Sequence, residues 1–238
     1  MCPIANPFSF IPKIAKRVEL DRHCSDGQPY PINNIYFDTR DSYFIRQSLS
    51  HPDYKEKLRM RSYGRPKDGS GLVFLEIKNK RRAVMTLDDA KSFVRTGREP
   101  HVEGYLNNQV IHEISNFLTH NEVYPAAFVG YRRLAFTGVE EKDLRVTFDT
   151  DIITRRKDLS LDVEPYGELL LPEGKVLMEV KFSRAVPVWL ASAMSECGIY
   201  KTSFSKYGRE YERACMEGYQ EVPATHYQLP QAKDYRRA

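Results

Sequence analysis

The sequence predicts an antiparallel, β-dominated α+β fold. Three observations predict it. Alternating polar and apolar runs outnumber helical patterns, and two of the clearest runs are joined by a Gly/Pro/Asp-rich segment. Tyr and Phe are also abundant, at 15 and 12 residues, as suits strands.

The elements follow in chain order. Residues 1–16 carry Pro3, Pro7 and Pro12, a poor start for a helix and an uncertain strand. Residues 34–39 (NIYFDT) are short, β-branched and aromatic. Residues 57–63 (KLRMRSY) alternate strictly between basic and apolar, a turn spans residues 64–71, and residues 72–80 (LVFLEIKNK) complete a hairpin. Further strands are predicted at residues 127–136, 144–152 and 176–182. Helices are fewer. Asp88 is placed to cap a short helix through Arg95, and Leu106, Val110, Ile114, Phe117 and Leu118 recur at helical spacing. Pro187 suits the first turn of a helix through Cys197 that Gly198 stops, and a last helix is predicted from Tyr207 to about Tyr219.

The 238 residues read as one domain over residues 1–219, followed by a polar tail over residues 220–238 that carries Pro223 and Pro230. A formal charge of +4, from 36 basic and 32 acidic residues, is too small to argue for nucleic acid or an anionic membrane. Cys2, Cys24, Cys197 and Cys215 lack zinc-site spacing, and the six histidines form no ligand pattern. There is no secretory signal and no apolar run of transmembrane length, so a soluble protein of a reducing cytoplasm is expected. Phosphate-loop, dinucleotide, H-E-x-x-H and G-x-S-x-G motifs are absent.

The distribution of charge is more informative than its sum. Side chains alternate along a strand. Lys57, Arg59 and Arg61 therefore stand opposite Leu58 and Met60, and Glu76, Lys78 and Lys80 opposite Val73, Leu75 and Ile77. Likewise Arg145, Thr147 and Asp149 oppose Leu144, Val146 and Phe148, and Glu179 and Lys181 oppose Met178, Val180 and Phe182. These polar faces hold seven basic residues against three acids. A solvated face normally mixes its signs, and like charges opposed across strands repel. Clustering of this kind persists when an anion neutralises it. Arginine in particular offers bidentate donors to phosphate oxygens, and the few acids suit Mg²⁺ or Mn²⁺ shared with those phosphates. The aromatic residues do not interleave with the basic ones as base-stacking platforms do, so no nucleic-acid partner is expected.

These residues resemble the VTC domain, the polyphosphate polymerase module of the triphosphate tunnel metalloenzymes. The similar segments are YFDT (36–39), KLRMRSYG (57–64), FLEIKNK (74–80), YRRLAF (131–136), LRVTFDTDI (144–152), LMEVKF (177–182) and SFSKYG (203–208), in the family's order. The resemblance implies an eight-stranded antiparallel tunnel barrel with flanking helices. It also implies transfer of the ATP γ-phosphoryl group to a growing polyphosphate chain. Arg59, Arg61, Lys78, Arg133, Arg145 and Lys206 match the family's catalytic and phosphate-binding cations, with Lys57, Lys80 and Lys181 as further substrate contacts. Arg81 or Arg82 is an alternative to Lys80. Glu179 falls on the metal-binding glutamate, for Mn²⁺ or Mg²⁺.

One departure stands out. The family opens with an R-x-E-x-K-Y strand and a helix well upstream of YFDT. Residues 17–20 (RVEL) lie too near Tyr36 to be that strand, so residues 11–20 read as the remnant of the helix and the first strand is expected to be missing. A hydrolase of inorganic triphosphate or nucleoside triphosphates, or a non-catalytic binder of polyphosphate or nucleotide, is the alternative to the polymerase.

Overall fold

The computed structural model describes residues 2–4, 7–24, 26–50, 56–77, 81–183 and 185–218, with side chains from residue 9 onward. Lys78, Lys80 and the tail from residue 220 lie outside the described residues. In chain order the elements are β1 (Cys2–Ile4), α1 (Pro7–Ile14), β2 (Val18–Leu20), a 3₁₀ turn (Arg22–Cys24), β3 (Tyr30–Asp38), α2 (Tyr43–Leu49), β4 (Leu58–Tyr63), β5 (Leu72–Ile77) and β6 (Arg81–Thr86). Then follow α3 (Leu87–Thr96), α4 (Tyr105–His120), β7 (Tyr124–Gly138), β8 (Arg145–Arg155), β9 (Glu168–Leu169), β10 (Val176–Lys181), α5 (Val188–Glu196) and α6 (Lys206–Met216).

All ten strands join one antiparallel sheet. Eight follow the path β1-β10-β8-β7-β3-β4-β5-β6, while β2 pairs with β7 and β9 with β8 off that path. The eight-stranded barrel that the resemblance implied, with its first strand expected to be missing, is here an open sheet: among the described residues nothing pairs β6 with β1. The outer edge of β6 is instead covered by α4, where the Val84 N–H donates to Asn107 Oδ1 at 3.4 Å. A helix laid along an edge strand satisfies and shields it. The sheet is nevertheless strongly curved, because Arg82 on β6 and Glu179 on β10 line the same cavity.

The long alternating runs are strands where they are described, and their faces follow the pattern except at Phe182, which lies beyond the end of its strand and is exposed. Leu58, Met60, Val73, Leu75 and Ile77 are buried in one cluster against α3 and α4, whereas Val146, Phe148 and Met178 pack with Phe10, Ile14 and Leu190 of α1 and α5. Lys57, Arg59, Arg61, Arg145 and Lys181, which alternate with apolar residues on these strands, line the concave face. The segment expected as a helix remnant divides: α1 ends at Ile14, and residues 18–20 are a strand. A three-residue strand, β1, precedes that helix and pairs with β10. The cap of α3 is Thr86 rather than Asp88; its hydroxyl accepts the Asp89 N–H at 3.1 Å.

Candidate functional site

The concave face encloses a cavity of about 1050 Å³. Among the described residues nine basic and four acidic side chains line it. Cationic side chains thus outnumber acidic ones around it. Lys57, Arg59, Arg61, Arg133, Arg145, Lys181, Lys206 and Glu179, all singled out in the sequence, converge on this cavity.

Strand β4 presents Arg59 and Arg61. Arg59 donates from Nε to Glu76 Oε2 at 2.9 Å and from Nη1 to the Tyr36 hydroxyl at 3.2 Å. Arg61 is oriented by Asn34, whose Oδ1 accepts Nε at 2.9 Å while its amide donates to the Val129 carbonyl at 2.8 Å. Burial pushes the Glu76 carboxyl up, but Arg59 and Arg61 outweigh it and hold it below the usual range. Burial likewise pushes the Tyr36 hydroxyl up, and Arg59, Lys57 and Arg61 more than reverse that, leaving it below the ordinary tyrosine value. The field of the cavity is therefore strong enough to overcome desolvation at two neighbouring groups.

On the facing wall Asp149 is fully buried and organises two cations. Arg133 grips it bidentately, Nε to Oδ1 at 2.7 Å and Nη2 to Oδ2 at 2.8 Å, and Lys206 reaches Oδ2 at 2.6 Å from the first turn of α6. The Tyr131 ring lies beneath both cations, 4.5 Å from Lys206 Nζ and 5.2 Å from Arg133 Cζ. The register of β7 against β8 shifts between Gly130 and Arg132, a bulge at Tyr131. Helix α6 is held in place by the bidentate pair of Arg156 with Glu210, at 2.7 and 2.9 Å.

Arg145 pairs with Asp21 at 3.2 Å, yet its buried Nε has no hydrogen-bond partner among the described residues. An unmet buried donor costs about 1–3 kcal/mol. Glu179 pairs with Lys181 at 2.8 Å and stands 3.8 Å from Arg133. Burial pushes its carboxyl up, and Lys181, Lys206 and Arg133 outweigh burial and keep it low and ionised. Among the described residues no three His, Cys, Asp or Glu side chains form a metal cluster. Mg²⁺ commonly takes one or two carboxylates and completes its shell with substrate phosphates and water. Glu179 fits that mode and no all-protein cage.

The sequence reading missed Arg209, Tyr36, Tyr131 and Asn34 as parts of this site and held Arg82 only as an alternative contact. Arg82 and Arg209 carried a faint signal: one was an alternative to Lys80, and the other follows Lys206 at i+3 on a helix. Asn34 is an amide inside a strand run, and a buried amide there needs a partner.

A curved antiparallel sheet whose concave face collects arginine and lysine defines a class of protein built to hold a phosphorylated, multiply charged ligand. The family model of the VTC domain matches residues 8–215, and the chain belongs to that family. Membership gives it a polyphosphate-related function. No curated protein matches the sequence. Among the described residues no helix is long and apolar enough to cross a membrane.

Proposed function

We propose that this protein is a metal-dependent polyphosphate polymerase that moves the γ-phosphoryl group of ATP onto a polyphosphate chain. The observation that carries the reading is the convergence of Arg59, Arg61, Arg133, Arg145, Lys181 and Lys206, with Glu179, around one cavity. A terminal phosphate oxygen of the chain attacks the γ-phosphorus, the bond to the β-bridging oxygen breaks, and ADP leaves. No covalent nucleophile is needed, because phosphoryl transfer is accelerated mainly by positioning and charge stabilisation.

Each group has a part in this. Arg59 and Arg61 on one wall and Arg133 and Lys206 on the other neutralise and align the phosphates. Asp149 fixes the last two so that they do not reorganise as charge shifts. Glu179 would hold Mn²⁺ or Mg²⁺ together with phosphate oxygens, and the ion would offset charge on the transferring group. Lys78 and Lys80 are assigned to the same ligand on the family resemblance alone.

One observation favours a second reading, a binder without turnover: Glu179 is already engaged by Lys181 and Arg133. Purified protein given ATP and Mn²⁺ separates the cases. Long-chain polyphosphate is the expected product, lost in Glu179→Gln. Free phosphate without chain growth would identify a hydrolase, and binding without any product would identify the binder.

A further inference from the structure

Three aromatic side chains from three separate elements meet at the margin of the cationic cavity. Tyr63 ends β4, Tyr30 begins β3, and His23 sits in the 3₁₀ turn. The His23 and Tyr63 rings are parallel to within 5° at 5.8 Å between centroids, and Tyr30 lies 5.7 Å from His23 and 6.0 Å from Tyr63. Tyr30 and Tyr63 line the cavity, Tyr63 is 41% exposed, and His23 is exposed. We propose that this cluster is a base-stacking platform, so that the cavity takes a nucleoside triphosphate with its base on Tyr63 and His23 and its phosphates running inward past Arg61. The inference deepens the proposed function and rests on its triphosphate reading of the cavity.

Three features support it. Tyr63 and Arg61 share the cavity face of β4, about 6.7 Å apart along the strand, a spacing suited to a base and the first phosphates beyond its sugar. The platform is rigid. The Gly64 N–H donates to the Pro31 carbonyl at 3.0 Å just behind Tyr63, and the edge of Phe74 meets the Tyr63 ring at 5.4 Å and 84°. The platform is also coupled to the phosphate site. Asp21 accepts the His23 backbone N–H on Oδ1 at 3.1 Å and Arg145 on Oδ2 at 3.2 Å, so one carboxylate holds both the turn that carries His23 and a cavity cation. Burial pushes the Tyr30 hydroxyl up to about 12 against the pull of Arg133 and Arg145, which keeps it a neutral donor between platform and cations. A base offers a π-face whatever its identity, so such a platform selects nucleotides over bare phosphate chains without selecting among purines.

The test compares equilibrium binding of ATP and of inorganic tripolyphosphate, read by calorimetry without turnover. The double variant His23→Ala/Tyr63→Ala is expected to bind ATP about tenfold more weakly and tripolyphosphate as the unaltered protein does. Tyr63→Trp, which keeps a flat aromatic face, is expected to retain ATP affinity within about twofold. Equal losses for the two ligands, no loss for ATP, or failure of Tyr63→Trp to hold ATP would each overturn the platform. Because no turnover is read, a protein that makes no polyphosphate counts against the polymerase proposal alone.

Discussion

Asp149 holds Arg133 through both carboxylate oxygens and Lys206 through one, with no exposure to solvent. Burial pushes its carboxyl up, and the two cations outweigh burial and hold it below the usual range. A carboxyl depressed in the folded state stabilises the fold above its unfolded value of about 3.9, and that contribution is lost as pH falls through the lower folded value. Asp149→Asn leaves two nearly buried cations short of a counter-charge, so it is expected to cost about 3 kcal/mol near neutral pH. It is also expected to flatten the fall of stability below about pH 4. Thermal melts of both proteins at pH 7 and pH 3 check this; parallel pH profiles would show that Asp149 is not the titrating group. At this scale legibility followed strand parity. Arg59, Arg61 and Lys181 were readable because alternation alone decides which way they face. Arg209 and Asn34 were not, because their roles depend on which element lies across from them.

The YFDT segment ties elements together rather than touching ligand with its acid. Asp38 accepts the Phe44 and Ile45 N–H groups at 2.9 and 3.0 Å, closing the start of α2, and the Tyr207 hydroxyl of α6 at 3.0 Å. Tyr207 in turn stacks on Tyr36 at 4.7 Å. Asp38→Ala is expected to cost about 2 kcal/mol through the lost cap and the unmet hydrogen bonds. It is also expected to weaken tripolyphosphate binding, since α6 carries Lys206 and Arg209. Denaturant unfolding and calorimetry on one preparation check both effects; loss of stability with full binding would separate α6 from the cap. Helix α2 was not legible in YFIRQSL because its capping acid lies upstream, in the preceding strand, and Ser42 at its N-terminus makes no side-chain cap. The strand RRAVMT was hidden by its paired arginines, and β1, β2 and β9 have three residues or fewer. By contrast α4 and the β4–β5 hairpin were plain from periodicity, because one face of each is buried over most of its length, although Leu106 of the predicted face is exposed in the first turn of α4.

Across the whole molecule, ten strands form one sheet, eight of them on its main path, and it remains open where α4 covers β6. Closure depends on what meets the two end strands: the missing family strand pointed to an incomplete barrel, whereas the helix that covers β6 is encoded by no strand pattern. Among the described residues the cavity gathers nine cationic side chains against four acidic ones. A phosphate chain bound by this protein must therefore lose affinity when a cavity cation is removed and keep it when a surface cation is. Arg61 lies in the cavity with its side chain 12% exposed, whereas Arg17 is 49% exposed and pairs with Glu140 on the surface. The most direct measurement is the equilibrium binding of inorganic polyphosphate to the unaltered protein, to Arg61→Ala and to Arg17→Ala at one ionic strength. The expected result is a loss of about tenfold or more for Arg61→Ala, about 1.4 kcal/mol, with Arg17→Ala unchanged. Equal affinity in all three would contradict the account of the cavity as a phosphate grip.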